Sequence, residues 1–154
     1  VAELFNQLGV DTEYKSEGVL LTIGDRCVDK FEYDFVNQPD LAQTFAVTCC
    51  IKNIPFHFYG VQSLKIKETN RIVALVNELE KLGYVLFEPA EGQLAWSGER
   101  CKAAADISIA TYEDHRMAMA FAPVSVVVPL SIEHPEVVSK SYPSFWSDFE
   151  MLAL

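Results

Sequence analysis

The sequence predicts an α/β fold in which two copies of a helix-hairpin-helix-strand unit bury their helices and keep their sheets outside. Three observations predict it: a gapless internal repeat at a spacing of 74 residues, helical periodicity at the head of each copy, and a later helix in each copy that is apolar nearly all round. The repeat pairs Leu8-Gly9 with Leu82-Gly83, Glu17-Gly18 with Glu91-Gly92, and Leu20 with Leu94. It continues through Gly24-Asp25-Arg26-Cys27 on Gly98-Glu99-Arg100-Cys101, and Asp40 on Asp114. The copies span about residues 1–74 and 75–154.

Taken in order, Val1, Leu4, Phe5 and Leu8 repeat at helical spacing, as do Ile72, Leu75, Val76, Leu79 and Leu82 in the second copy. Gly9 and Gly83 follow as helix stops. Short strands then flank a Glu-Gly turn in each copy, with Val19–Ile23 and Gln93–Ser97 as their second arms. Pro39 sits in the first turn of a helix over Asp40–Ile51, and Asp114 opens its counterpart through Met117, Met119 and Phe121. Because these two helices have no polar face, strands are expected to cover them from outside. Phe56–Tyr59 and Val124–Val128 read as further strands. A last helix starts near Ser144 behind Pro143, with Phe145, Phe149 and Leu152 as its inner face.

Composition narrows the function. The chain has 154 residues, half of them apolar and 22% charged, enough to bury one core. Its formal net charge of −10 disfavours nucleic acid, and no basic stripe offsets it. No apolar run is long enough for a membrane span and the N-terminus lacks signal-peptide features, so a cytoplasmic protein is expected. Cys27, Cys49, Cys50 and Cys101 have no metal-site spacing and read as buried thiols. Val1, opening directly on a helical pattern, suggests a piece of a longer chain.

The chemistry-bearing residues collect at helix starts, where unpaired backbone N–H groups and the helix dipole favour anions. They are Asp40, the run Lys65-Ile66-Lys67-Glu68-Thr69-Asn70-Arg71, the triplet Asp114-His115-Arg116, and Lys140. If the repeat keeps its helices parallel, these groups share one face. Lys67, Arg71, Arg116 and Lys140 then clamp phosphate or carboxylate, leaving Asp40 and Glu68 for proton transfer. Each also fits a structural role: Asp40 and Asp114 as helix caps, Glu68 with Arg71 as a surface pair, His115 as a half-buried histidine. Independent structural roles do not predict charges at matching places in both copies, however.

Lys65–Ile72 resembles the C-terminal signature of the 5-enolpyruvylshikimate-3-phosphate (EPSP) synthases, and Asp114-His115-Arg116-Met117-Ala118-Met119-Ala120 resembles a second block of that family. Asn37–Ala42 and Ser139–Trp146 are similar to two more, and the order of all four agrees. The resemblance implies an enolpyruvate transferase-like α/β prism, with this chain as most of the C-terminal domain and an N-terminal domain of the same protein missing. It implies a cytoplasmic enzyme of the shikimate pathway, which leads to chorismate and the aromatic amino acids. That enzyme moves the enolpyruvyl group of phosphoenolpyruvate to the 5-hydroxyl of shikimate 3-phosphate without cofactor or metal. By the same resemblance Asp40 is the base and Glu68 the acid. Lys67 contacts shikimate 3-phosphate, Arg71, Arg116 and Lys140 hold phosphoenolpyruvate, and His115 lies beside it. Asn70 and Ser63 depart from the family's usual Asp and Asn, and no role transfers to them. Two rivals remain: UDP-N-acetylglucosamine enolpyruvyl transferase, and a noncatalytic anion-binding domain of the same fold. Since half the site is absent, the chain alone is expected to be inactive.

Overall fold

The glycines that close the two leading helices adopt left-handed backbone, Gly9 at φ 84° and Gly83 at φ 89°, a conformation that glycine alone takes at little cost. Those helices are α1 (Ala2–Gln7) and α3 (Arg71–Lys81) in the computed structural model, which describes residues 1–67 and 69–152. Between them lie β1 (Val10–Lys15), β2 (Gly18–Ile23), β3 (Phe31–Asp34), α2 (Ala42–Ile51) and β4 (Phe56–Tyr59). After α3 come β5 (Leu94–Trp96), β6 (Ser108–Ile109), α4 (His115–Phe121), β7 (Ser131–Ile132) and α5 (Phe145–Leu152). Four 3-10 segments, Pro39–Leu41, Gln62–Ile66, Ala122–Val126 and Pro135–Lys140, join these elements.

The pairing repeats a pattern. β3 and β4 run parallel on either side of α2 in sequence, and β6 and β7 run parallel on either side of α4. β1 and β2 form an antiparallel hairpin, while β5 joins β4 antiparallel and thereby ties the second half of the chain to the first. No described helix is long and apolar enough to cross a membrane.

The expectation of buried helices holds for α2, where Ala42, Gln43, Phe45, Ala46, Val47, Cys49 and Cys50 are all buried. α2 packs against α3, α4 and β4. Its Phe45 stacks on Phe31 from β3, ring centroids 5.5 Å apart, and Phe35 meets Phe58 from β4 edge-on at 4.8 Å. Aromatic side chains bury large apolar areas, so this cluster fixes α2 against the sheet.

Three expectations need correction. Val124–Val128 is not a strand: Pro123 holds the chain in a helical φ after α4, and the 3-10 segment Ala122–Val126 leaves Val126 and Val127 exposed while Val124 is buried. The strand of this copy is the short β7 beyond Pro129. In α5 Leu152 faces solvent at 77% exposure, because the helix caps a small satellite cluster where Phe145 and Trp146 pack against Ala118, Val137 and Val138. Among the four cysteines only Cys49 and Cys50 are buried; Cys27 and Cys101 are exposed.

Gly60 ends β4 at φ 68°, where a β-carbon would strike the Asp34 carboxylate and lie 2.5 Å from the Val36 nitrogen. Gly60→Ala should therefore cost about 2 kcal/mol or more in urea unfolding; an unchanged midpoint would contradict this packing. Burial pushes the Cys49 thiol up to about 12 and raises the Cys50 thiol too. The unfolded chain loses the Cys49 proton near the ordinary thiol value and the folded chain keeps it, so above that value the unfolded state binds fewer protons and stability falls with rising pH. Stability from the buried thiol should be complete below about pH 8.5 and drain away toward about 12. Cys49→Ala should flatten the alkaline slope in pH-dependent denaturation.

Candidate active site

Pro39 sets the first turn of the 3-10 segment ahead of α2 and so fixes the exit of Asp40, whose side chain remains 37% exposed. α3 begins one residue after Asn70, which caps it by accepting a hydrogen bond from the Val73 nitrogen at 3.2 Å. Asn70 thus has a local role that the family pattern does not assign. Asp114 caps α4 in the same way, its Oδ1 accepting from the Arg116 nitrogen at 2.8 Å.

Among the described residues, five charges cluster at these helix starts. Arg71, only 2% exposed, donates from Nη1 to Asp40 Oδ1 at 2.8 Å, from Nε to Asp114 Oδ2 at 2.5 Å, and from Nη2 to Asp114 Oδ1 at 3.3 Å. Arg116 Nη2 stands 3.0 Å from Asp40 Oδ2, and Lys67 Nζ is 3.7 Å from Asp40 Oδ1. The two carboxylates that the 74-residue repeat places at equivalent positions therefore bracket one guanidinium, Asp114 wholly buried and Asp40 at the surface. Among the described residues, three cations here face two carboxylates, on a chain whose formal charge is −10.

Beside the cluster lies a cavity of about 290 Å³ lined by Asp40, Thr44, His115, Arg116, Met119, Ser141 and Tyr142. His115 thus reaches the same hollow as Asp40. Lys140 ends the 3-10 segment immediately before Ser141 and is exposed; among the described residues it has no ion-pair partner. The Tyr142 hydroxyl and the Ser144 hydroxyl donate to Asp148 at 2.7 and 2.8 Å, fixing the segment that follows and holding the Asp148 carboxyl below its usual range. Glu68 lies outside the described residues. A larger hollow, about 350 Å³ between Lys30, His57, Phe87 and Trp96, is mostly apolar and gathers no comparable charge. Among the described residues, no group of three or more His, Cys, Asp or Glu side chains is placed to hold a metal ion.

The structure therefore brings together Asp40, Lys67, Arg71, Arg116 and His115. The sequence reading missed Asp114 as the anchor of Arg71, although the repeat that sets it opposite Asp40 carried the signal. It also missed Glu78, a 1% exposed carboxylate within α3.

Removing one partner of a buried pair strands the other charge, so Asp114→Ala should lose about 3–5 kcal/mol in urea unfolding. Asp40→Ala, at the surface and with Arg71 still held by Asp114, should lose about 1 kcal/mol or less. Equal losses would contradict this division of labour.

A family profile described as EPSP synthase (3-phosphoshikimate 1-carboxyvinyltransferase) matches residues 1–149. A 3-phosphoshikimate 1-carboxyvinyltransferase of Bacteroides fragilis is 55% identical over 148 residues, covering 96% of this chain and 36% of that protein. One from Neisseria meningitidis serogroup B is 38% identical over 136 residues, covering 83% of this chain and 29% of its own. The match thus spans between 29% and 36% of the length of these relatives. The solved EPSP synthase of Acinetobacter baumannii superposes with a TM-score of 0.62 at 18% identity, over 98% of this chain and 38% of that one, a likeness of fold. With a profile matching nearly its whole length, the chain belongs to the EPSP synthase family.

Proposed function

We propose that residues 1–154 supply most of the C-terminal domain, as two repeat copies over about 1–74 and 75–154, of a cytoplasmic enzyme that makes 5-enolpyruvylshikimate 3-phosphate. The enolpyruvyl group of phosphoenolpyruvate passes to the 5-hydroxyl of shikimate 3-phosphate and phosphate is released. The observation that carries this reading is the convergence of Lys67, Arg71 and Arg116 on Asp40, beside a hollow that His115 also lines.

In this reading Asp40 takes the proton of the 5-hydroxyl while its oxygen attacks the substituted carbon of phosphoenolpyruvate. Glu68 delivers a proton to the methylene carbon. The tetrahedral adduct then loses phosphate, and a proton leaves the new methyl group to restore the double bond. Separate carboxylates suit a reaction that needs one base and one acid at different atoms. Arg116 and Lys140 hold the anionic ends of phosphoenolpyruvate, and Lys67 contacts shikimate 3-phosphate. Arg71 engages ligand only as Asp40 moves off its Nη1, so substrate exchanges one anion for another rather than filling a bare cationic pocket. Preorganised cations of this kind stabilise charge in the transition state without reorganising. The N-terminal domain of the same protein closes the cleft from the other side.

Substituting Glu68→Gln or Asp40→Asn in the intact protein should lower kcat by about 10²-fold or more, with substrate affinity largely kept. Unchanged turnover would refute the assigned proton transfers. Binding without turnover by the unsubstituted intact protein would instead favour a noncatalytic anion-binding domain. Residues 1–154 alone should show no turnover.

A further inference from the structure

Seven residues beyond Arg71, two turns further along the same face of α3, Glu78 is buried to 1% exposure. A carboxylate is not left there without partners. Its Oε2 accepts from Lys81 Nζ at 2.6 Å and from the Ala110 nitrogen at 3.0 Å, and its Oε1 accepts from the Tyr112 hydroxyl at 2.8 Å. Lys81 also donates to the Ser108 carbonyl at 2.8 Å. Segment 108–112 is thereby fastened to α3 at three points.

The chain leaves those fastenings in an unusual conformation. Tyr112 and Glu113, neither of them glycine, are both left-handed at φ 53° and 57°. Such backbone persists only where its surroundings hold it. The next residue is Asp114, whose nitrogen donates to the Thr111 carbonyl at 2.9 Å and whose carboxylate grips both Arg71 and the Arg116 nitrogen. One helix thus meets this turn twice, through Arg71 at its first residue and through Glu78 two turns later.

We propose that Glu78 is a positioning residue: by bonding Ala110 and Tyr112 it holds the Tyr112–Glu113 turn, and so sets Asp114, Arg71 and Arg116 in the register that binds the anionic ends of the substrate. The inference rests on the proposed enolpyruvyl transfer for its substrate, though not for its geometry. Buried ionic networks of this type contribute little net stability and are better understood as fixing one arrangement among several.

The test uses the intact protein with Tyr112→Phe, which removes one hydroxyl and no packing, and Glu78→Gln beside it. The KM for phosphoenolpyruvate should rise about tenfold, since small misplacements of binding groups are costly, while that for shikimate 3-phosphate stays within about twofold. In an Arg116→Ala background the added effect of Tyr112→Phe should shrink, because part of it acts through Arg116, and the remainder acts through Arg71. Calorimetric affinity for inorganic phosphate, which needs no turnover, should fall about tenfold in Tyr112→Phe. Unaltered KM and phosphate affinity, with only a lower melting temperature, would overturn the proposal even if Glu78→Gln failed to fold. A wild-type protein that binds phosphate but does not turn over would count against the enolpyruvyl reading alone.

Discussion

Arg71 is the hinge of the structure. A guanidinium buried this deeply is tolerable only if its donors are met, and among the described residues two carboxylates from opposite copies of the internal repeat meet it. Asp114, without solvent, fixes the guanidinium plane through Nε and Nη2; Asp40, half in solvent, takes Nη1 and is shared with Arg116 and Lys67. One bond is thus built to stay and the other is placed where a ligand can compete for it. Three helix starts, before α2, α3 and α4, are locked together by this single side chain.

Their convergence follows from the fold. Each parallel strand pair encloses a helix, and the two enclosed helices, α2 and α4, lie against one another. Equivalent residues at their leading ends therefore come close, although 74 residues separate them in the chain. Aromatic packing of Phe31, Phe35, Phe45 and Phe58 keeps α2 from sliding, which matters because a displacement of about 1 Å at such a site is enough to cost activity. The overall negative charge adds a second constraint. Anions are repelled by most of this surface, so the cations gathered around Asp40, namely Lys67, Arg71 and Arg116, must do the attracting.

Much of this was legible in the sequence, and the places where reading failed share a cause. The glycine stops after α1 and α3 and the aromatic strand Phe56–Tyr59 are local patterns with backbone or periodic signatures, and they match the structure. The convergence of Asp40 with Lys67, Arg71 and Arg116 was expected only on the condition that the repeat keeps its helices parallel. What local pattern could not reveal was tertiary. The valines at 124–128 look like a strand until Pro123 and the end of α4 are seen to commit them to a 3-10 turn. Asp114 reads as a cap, and is one, but its second oxygen answers a guanidinium 43 residues away. Glu78 resembles any helix-surface glutamate, because nothing nearby in sequence announces that Ala110 and Tyr112 will fold over it.

The most direct test of the bracket is a crystal structure of the intact protein with shikimate 3-phosphate and an unreactive analogue of phosphoenolpyruvate. The analogue's anionic groups should lie within hydrogen-bond distance of Arg116 and of Arg71 Nη1, with Asp40 turned toward the 5-hydroxyl of shikimate 3-phosphate and the Arg71–Asp114 pair undisturbed. An analogue bound elsewhere, with both guanidiniums still closed on Asp40, would contradict the account.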